Sequence, residues 1–196
     1  MSKFRIALAS TCFVFAGAAP AHADAGVPMI FITLPGMLVA LVPIIILETF
    51  VLARRLSVRK REVLKATVMS NAVSTLVGLP IVWVILVAVQ IGTGGGGAYG
   101  IDTLLGKFLA VTWQAPWLIP YESDLDWMVP AASLALLGPF FAASCLIELR
   151  VNRRMLPQAQ PQKLRAGTRD ANLLSYALLA VVAIGWLGAV VVRRGA

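Results

Sequence analysis

The chain has 196 residues, 59% of them hydrophobic and 13% charged, where soluble domains run at about 45–50% apolar and about 25% charged. The apolar excess falls in charge-free blocks of about 20 residues, the length that crosses a hydrocarbon core about 30 Å thick, and this excludes an ordinary soluble domain. The formal charge of +8 is therefore read by its position along the chain and does not point to nucleic acid.

Met1 to Arg5 is a short basic start, Ile6 to Ala19 an apolar stretch, and Ala21-His22-Ala23 a small-x-small pattern of the kind signal peptidase accepts. Residues 1–23 are expected to be a signal peptide, with the mature chain starting at Asp24 outside the cytoplasm.

Four apolar blocks follow, and the expected fold is an all-α integral membrane protein with four transmembrane helices. Pro28 to Ala53 is the first span, Ala66 to Gln90 the second, Met128 to Leu149 the third and Ala171 to Val192 the fourth. Pro35, Pro43, Pro80 and Pro139 fall within the first three. In a bundle, neighbouring helices re-satisfy the carbonyls that proline frees, so these residues predict kinks rather than ends.

Between spans one and two stand Arg54, Arg55, Arg59, Lys60, Arg61 and Lys65. Between spans three and four stand Arg150, Arg153, Arg154, Lys163, Arg165 and Arg169, whereas the long segment between spans two and three holds only Lys107. The positive-inside rule puts both basic connections in the cytoplasm. The expected location is the bacterial inner membrane, with the mature N-terminus and the C-terminus outside. Arg193 and Arg194 at the tail run weakly against this.

The two halves share an order. Glu48 is followed by Arg54, Arg55 and then Asn71-x-x-Ser74; Glu148 is followed by Arg153, Arg154 and then Asn172-x-x-Ser175. Two tandem hairpins, residues 24–91 and 128–196, therefore read as a parallel internal repeat about an axis along the membrane normal. The repeat sets Glu48, Asn71, Ser74, Glu148, Asn172 and Ser175 at one level, about a turn from the cytoplasmic ends. A carboxylate in lipid costs several kcal/mol, so such residues turn inward and find partners. One expectation is a structural network, with amides donating to the glutamates and nearby arginines balancing charge or snorkelling to head groups. The other is a cation or proton site on a conduction path.

Residues 92–127 form the outer loop. The run from Gly92 to Gly100 reads as a flexible linker. Ile101, Leu104, Leu105, Phe108 and Leu109 then recur at helical spacing, with Asp102, Lys107 and Gln114 elsewhere, which predicts an interfacial amphipathic helix. Phe108 with Trp113, Trp117, Tyr121 and Trp127 makes a candidate interfacial belt or partner surface. Glu122, Asp124 and Asp126 alternate, and on an extended strand would point one way, a weak signal for a hard cation.

The one histidine, His22, and one of the two cysteines, Cys12, belong to the expected signal peptide. No disulfide, metal site, other cofactor or histidine-based triad is expected of the mature chain, and the glycine run lacks what a phosphate loop needs. These readings favour a non-catalytic inner-membrane subunit, scaffold or assembly factor, in contact with the bilayer and with other membrane proteins or a second copy. The alternative is a small transporter or channel using the paired glutamates, for which four helices would need a homodimer.

Overall fold

The structure, a computed structural model, describes residues 26–97, 100–119 and 123–195. The expected signal peptide, with Tyr121 and Glu122, lies outside them. Val27–Pro28 forms β1, and Met29 opens α1, which runs to Arg55 with Pro35 and Pro43 inside it. Residues 56–59 turn the chain into α2, which spans Lys60–Gly92 and includes a π turn at Ser74–Gly78. Pro80 accounts for that turn. Its ring has no N–H and crowds the carbonyl four residues back, and the Leu79 N–H reaches past it to the Ser74 carbonyl.

The helix stops on glycine. Gly94 takes φ +87°, and the Gly95 N–H donates to the Gln90 carbonyl at 2.7 Å, the glycine stop that left-handed backbone allows. Part of the expected linker is thus a helix cap. Gln90 and Gln114 both donate to the Gly95 carbonyl at 3.1 Å, so Gln114 is buried and not on the polar side of an amphipathic helix.

Thr103 caps α3 (Leu104–Thr112) by accepting the Gly106 N–H at 3.0 Å. Ala110 and Val111 of this helix pack into the core, while Leu104, Leu105 and Phe108 face outward. β2 (Trp117–Leu118) then pairs antiparallel with β1, Val27 opposite Leu118 and Pro28 opposite Trp117. A two-residue ladder leaves no alternating pattern in the sequence, which is why a purely helical reading passes over it.

α4 runs over Leu125–Met155 and α5 over Pro161–Gly195. Among the described residues, these two and α1 and α2 are the four helices long and apolar enough to cross a membrane. All but α1 extend well past the charge-free blocks, because Lys and Arg are good helix formers and suit a helix C-terminus, where Arg54, Arg55, Arg153 and Arg154 stand. The basic connections are therefore short, and most of their cations sit on helix ends.

The four long helices close into a ring in which α1 packs on α2 and α5, and α4 packs on the same two neighbours. Two apolar cores fill it. Met29, Leu118, Met128 and Phe140 belong to one, and Leu52, Leu56, Val63, Leu156 and Leu164 to the other, at the basic end. Between them lies a polar layer.

Candidate functional site: a four-helix polar layer

The six polar residues shared by the two halves meet in that layer. Asn71 Nδ2 donates to Glu48 Oε2 at 2.6 Å, and Ser175 Oγ donates to Glu48 Oε1 at 2.7 Å. Asn172 Nδ2 donates to Glu148 Oε2 at 2.7 Å, and Ser74 Oγ donates to Glu148 Oε1 at 3.0 Å. Each glutamate thus takes its amide from its own hairpin and its hydroxyl from the other.

Helix periodicity sets this up. Asn71 and Ser74, three apart, share one face of α2, and Asn172 and Ser175 share one face of α5. Glu48 on α1 and Glu148 on α4 approach from helices across the ring from each other. Glu48 is 1% exposed and Glu148 3%. The layer lies seven residues from Arg55, about 10 Å along the helix, rather than a single turn from the end. Leu52, Leu56, Leu156 and Leu164 close the space below it.

The donors to the carboxylates are neutral. Arg54 lies over the Phe50 ring, 4.1 Å from its centroid. Arg55 pairs with Asp170 at 2.5 Å, and Arg169 pairs with the same carboxylate at 2.9 Å. The arginines expected to balance the glutamates are therefore committed to other partners or to the surface. Asn172 Oδ1, fully buried, has no hydrogen-bond partner among the described residues.

Further polar residues extend the layer. Asn71 Nδ2 also donates to the Thr67 carbonyl, and Asn172 Nδ2 to the Thr168 carbonyl, both at 3.1 Å. Thr67 and Thr168 stand four before each asparagine, so the shared pattern is Thr-x-x-x-Asn-x-x-Ser, a longer match than Asn-x-x-Ser and visible in the sequence. Asn152 and Thr168 lie below, 3.4 Å apart, and the hydroxyls of Ser144 and Tyr176 meet above at 2.9 Å. The first half has Leu52 and Ile44 at the positions matching Asn152 and Ser144, so no repeat signal marks that pair.

No protein-family model, curated protein or solved structure matches the chain. The chemistry of the layer is therefore read from its own geometry: two acids, two amides and two hydroxyls, buried, and able in principle to hold a proton or a small cation or to lock four helices in register.

The aromatics expected to form a belt in the loop at residues 92–127 occupy different settings. Phe108 and Trp113 are exposed. Trp117 is half-buried and stacks on Trp83, with ring centroids 5.6 Å apart. Trp127 is half-buried and donates its indole N–H to Asp124 at 2.7 Å. Asp124 is the N-cap residue of α4 and Asp126 lies in its first turn, so they sit on a helix start rather than a strand. Both pair with Arg194 at the end of α5.

Proposed function

We propose that the chain is a non-catalytic, multi-pass protein of the bacterial inner membrane that serves as a subunit, scaffold or assembly factor of a larger membrane complex. The observation that carries this reading is the closure of the polar layer. Each glutamate oxygen has a donor, both carboxylates are sealed from solvent, and the crossed donors bind all four long helices to one register. A network that gives every carboxylate oxygen a donor suits a part that holds its shape. The partners are the bilayer and other membrane proteins or a second copy, and the outward Leu104, Leu105 and Phe108 of α3 with Trp113 suit an interfacial helix that lies on lipid or on such a partner.

Three finer elements belong to the same proposal. The matched Glu, Asn and Ser positions, with Thr67 and Thr168, support an internal parallel repeat of the hairpin. The excess of Lys and Arg on the connections at residues 56–59 and 156–160 and their flanking helix ends supports a cytoplasmic location for that end. The small-x-small pattern before Asp24 supports removal of residues 1–23 and an external mature N-terminus.

A second reading, a proton or cation path, is favoured by one observation. Among the described residues the acids have no cationic partner, and they lie beside the π turn at Ser74–Gly78, a feature common at functional sites. Reconstitution in proteoliposomes separates the two. On the scaffold reading, proton, sodium and potassium flux stays at the level of protein-free vesicles, and Glu48→Gln and Glu148→Gln change thermal stability little. Flux in the parent protein that vanishes in either folded Gln variant overturns it.

A further inference from the structure

We propose that the groove between α4 and α5 at their arginine-rich ends is a binding site for an anionic phospholipid. This goes beyond the scaffold reading and does not depend on it. The groove encloses about 660 Å³. Its upper wall is apolar, with Phe141, Leu146 and Leu149 of α4, and its foot carries Arg153 of α4 with Arg165 and Arg169 of α5.

The order of these residues matches an amphiphile. Positions 141, 145, 149 and 153 recur every fourth residue and form one face of α4, so apolar and cationic side chains succeed one another along a single line. Phe141 to Arg153 covers about 18 Å of helix, close to one leaflet of hydrocarbon at about 15 Å. A phosphodiester at the foot would leave its acyl chains alongside Leu149, Leu146 and Phe141. Basic pockets between membrane helices recognise anionic head groups in this manner, and the planar guanidinium fork suits a phosphate oxygen pair.

The charge at the foot is not already cancelled. Arg153 and Arg165 have no carboxylate partner among the described residues, while Arg169 shares Asp170 with Arg55. Nor are its two α5 arginines a by-product of the shared hairpin pattern. The first hairpin has Leu64 and Val68 at the positions matching Arg165 and Arg169. Its own cations nearby, Arg61 and Lys65, match Gln162 and Ala166 instead.

The test is a lipid titration of the purified full chain in detergent, read by native mass spectrometry, with phosphatidylglycerol and phosphatidylcholine of identical acyl chains. The expected result is preferential binding of phosphatidylglycerol, weakened about tenfold or more in Arg153→Gln/Arg165→Gln, because charge-assisted hydrogen bonds are lost. Arg150→Gln/Arg154→Gln removes the same charge from α4 positions outside the groove and should bind as the parent does. Leu149→Trp, which crowds the apolar wall without changing charge, should also weaken binding. Circular dichroism and melting temperature confirm that each variant is folded. Equal loss in the two double variants would reduce the effect to a general cationic belt and overturn the site. So would equal affinity for phosphatidylcholine, or full displacement of phosphatidylglycerol by millimolar inorganic phosphate, which would make the ligand a soluble phosphate.

Discussion

Glu48 accepts one amide proton and one hydroxyl proton, and that pairing decides what each substitution does. In Glu48→Gln the side-chain oxygen can keep Asn71 Nδ2, while the new NH2 turns to Ser175, whose hydroxyl accepts as readily as it donates. Glu48→Leu instead strands both partners. Interhelical hydrogen bonds of this type are worth about 0.6 kcal/mol on average and up to about 1.7 in a membrane protein, so Glu48→Leu should lower unfolding free energy by about 1–3 kcal/mol. Glu48→Leu/Asn71→Leu should cost less than the two single changes summed, since the pair is removed together; additivity in unfolding assays would show that the two do not interact. At the end opposite the basic connections, the Trp127 indole N–H and then Arg194 hold the Asp124 carboxyl below the usual aspartate range. A depressed carboxyl stabilises the fold above its unfolded titration and loses that contribution as pH falls through the folded one. The stability gap between parent and Asp124→Asn should therefore be full near pH 6 and shrink as pH falls below the ordinary aspartate value of about 3.9. A gap unchanged by acid would contradict the pairing.

Among the elements, α2 shows how a local defect is absorbed. The π turn forced by Pro80 carries Gly78 against α4, where an added Cβ would lie 2.5 Å from Ile147 Cδ1. Gly78→Leu should overpack that crossing and cost about 1–3 kcal/mol. Trimming the obstacle with Ile147→Ala should restore part of the loss, and failure to do so in thermal melts would place the strain elsewhere. The sequence made the cores of the four spans legible, because about 20 residues without charge allow little else. It did not mark their ends, since Arg and Lys continue a helix as readily as they leave it. Pro80 was legible as a disturbance, but a proline does not say whether a helix bends or widens. Gln114 is misplaced for a related reason: it stands past the end of α3, in a turn that brings it to the Gly95 carbonyl, and helical spacing does not show where the helix stops.

For the whole molecule, the uneven spread of Lys and Arg predicts a definite outcome in the membrane. A reporter active only outside the cytoplasm should work when fused after Gly97 or Ala196 and fail after Arg61 or Gln160. An active Arg61 fusion would reverse the orientation. The same charge counts say nothing about which helix lies beside which. The six layer residues could be picked out from spacing, yet the spacing could not reveal that Ser74 serves Glu148 and Ser175 serves Glu48. That follows from the closed ring, in which α1 borders α5 and α2 borders α4.

The exchange of hydroxyls has a consequence for how little genetic information the layer requires. One hairpin carries an acid, an amide that satisfies half of it, and a hydroxyl that its own acid does not use. Two copies of the same hairpin, facing each other across a twofold axis, would give every carboxylate oxygen a donor. A gene encoding half of this chain would already specify those four hydrogen bonds to the acids, provided that its product met itself in the bilayer. Joining the halves in one polypeptide makes that meeting certain and leaves each half free to differ, as the arginines of the second hairpin do.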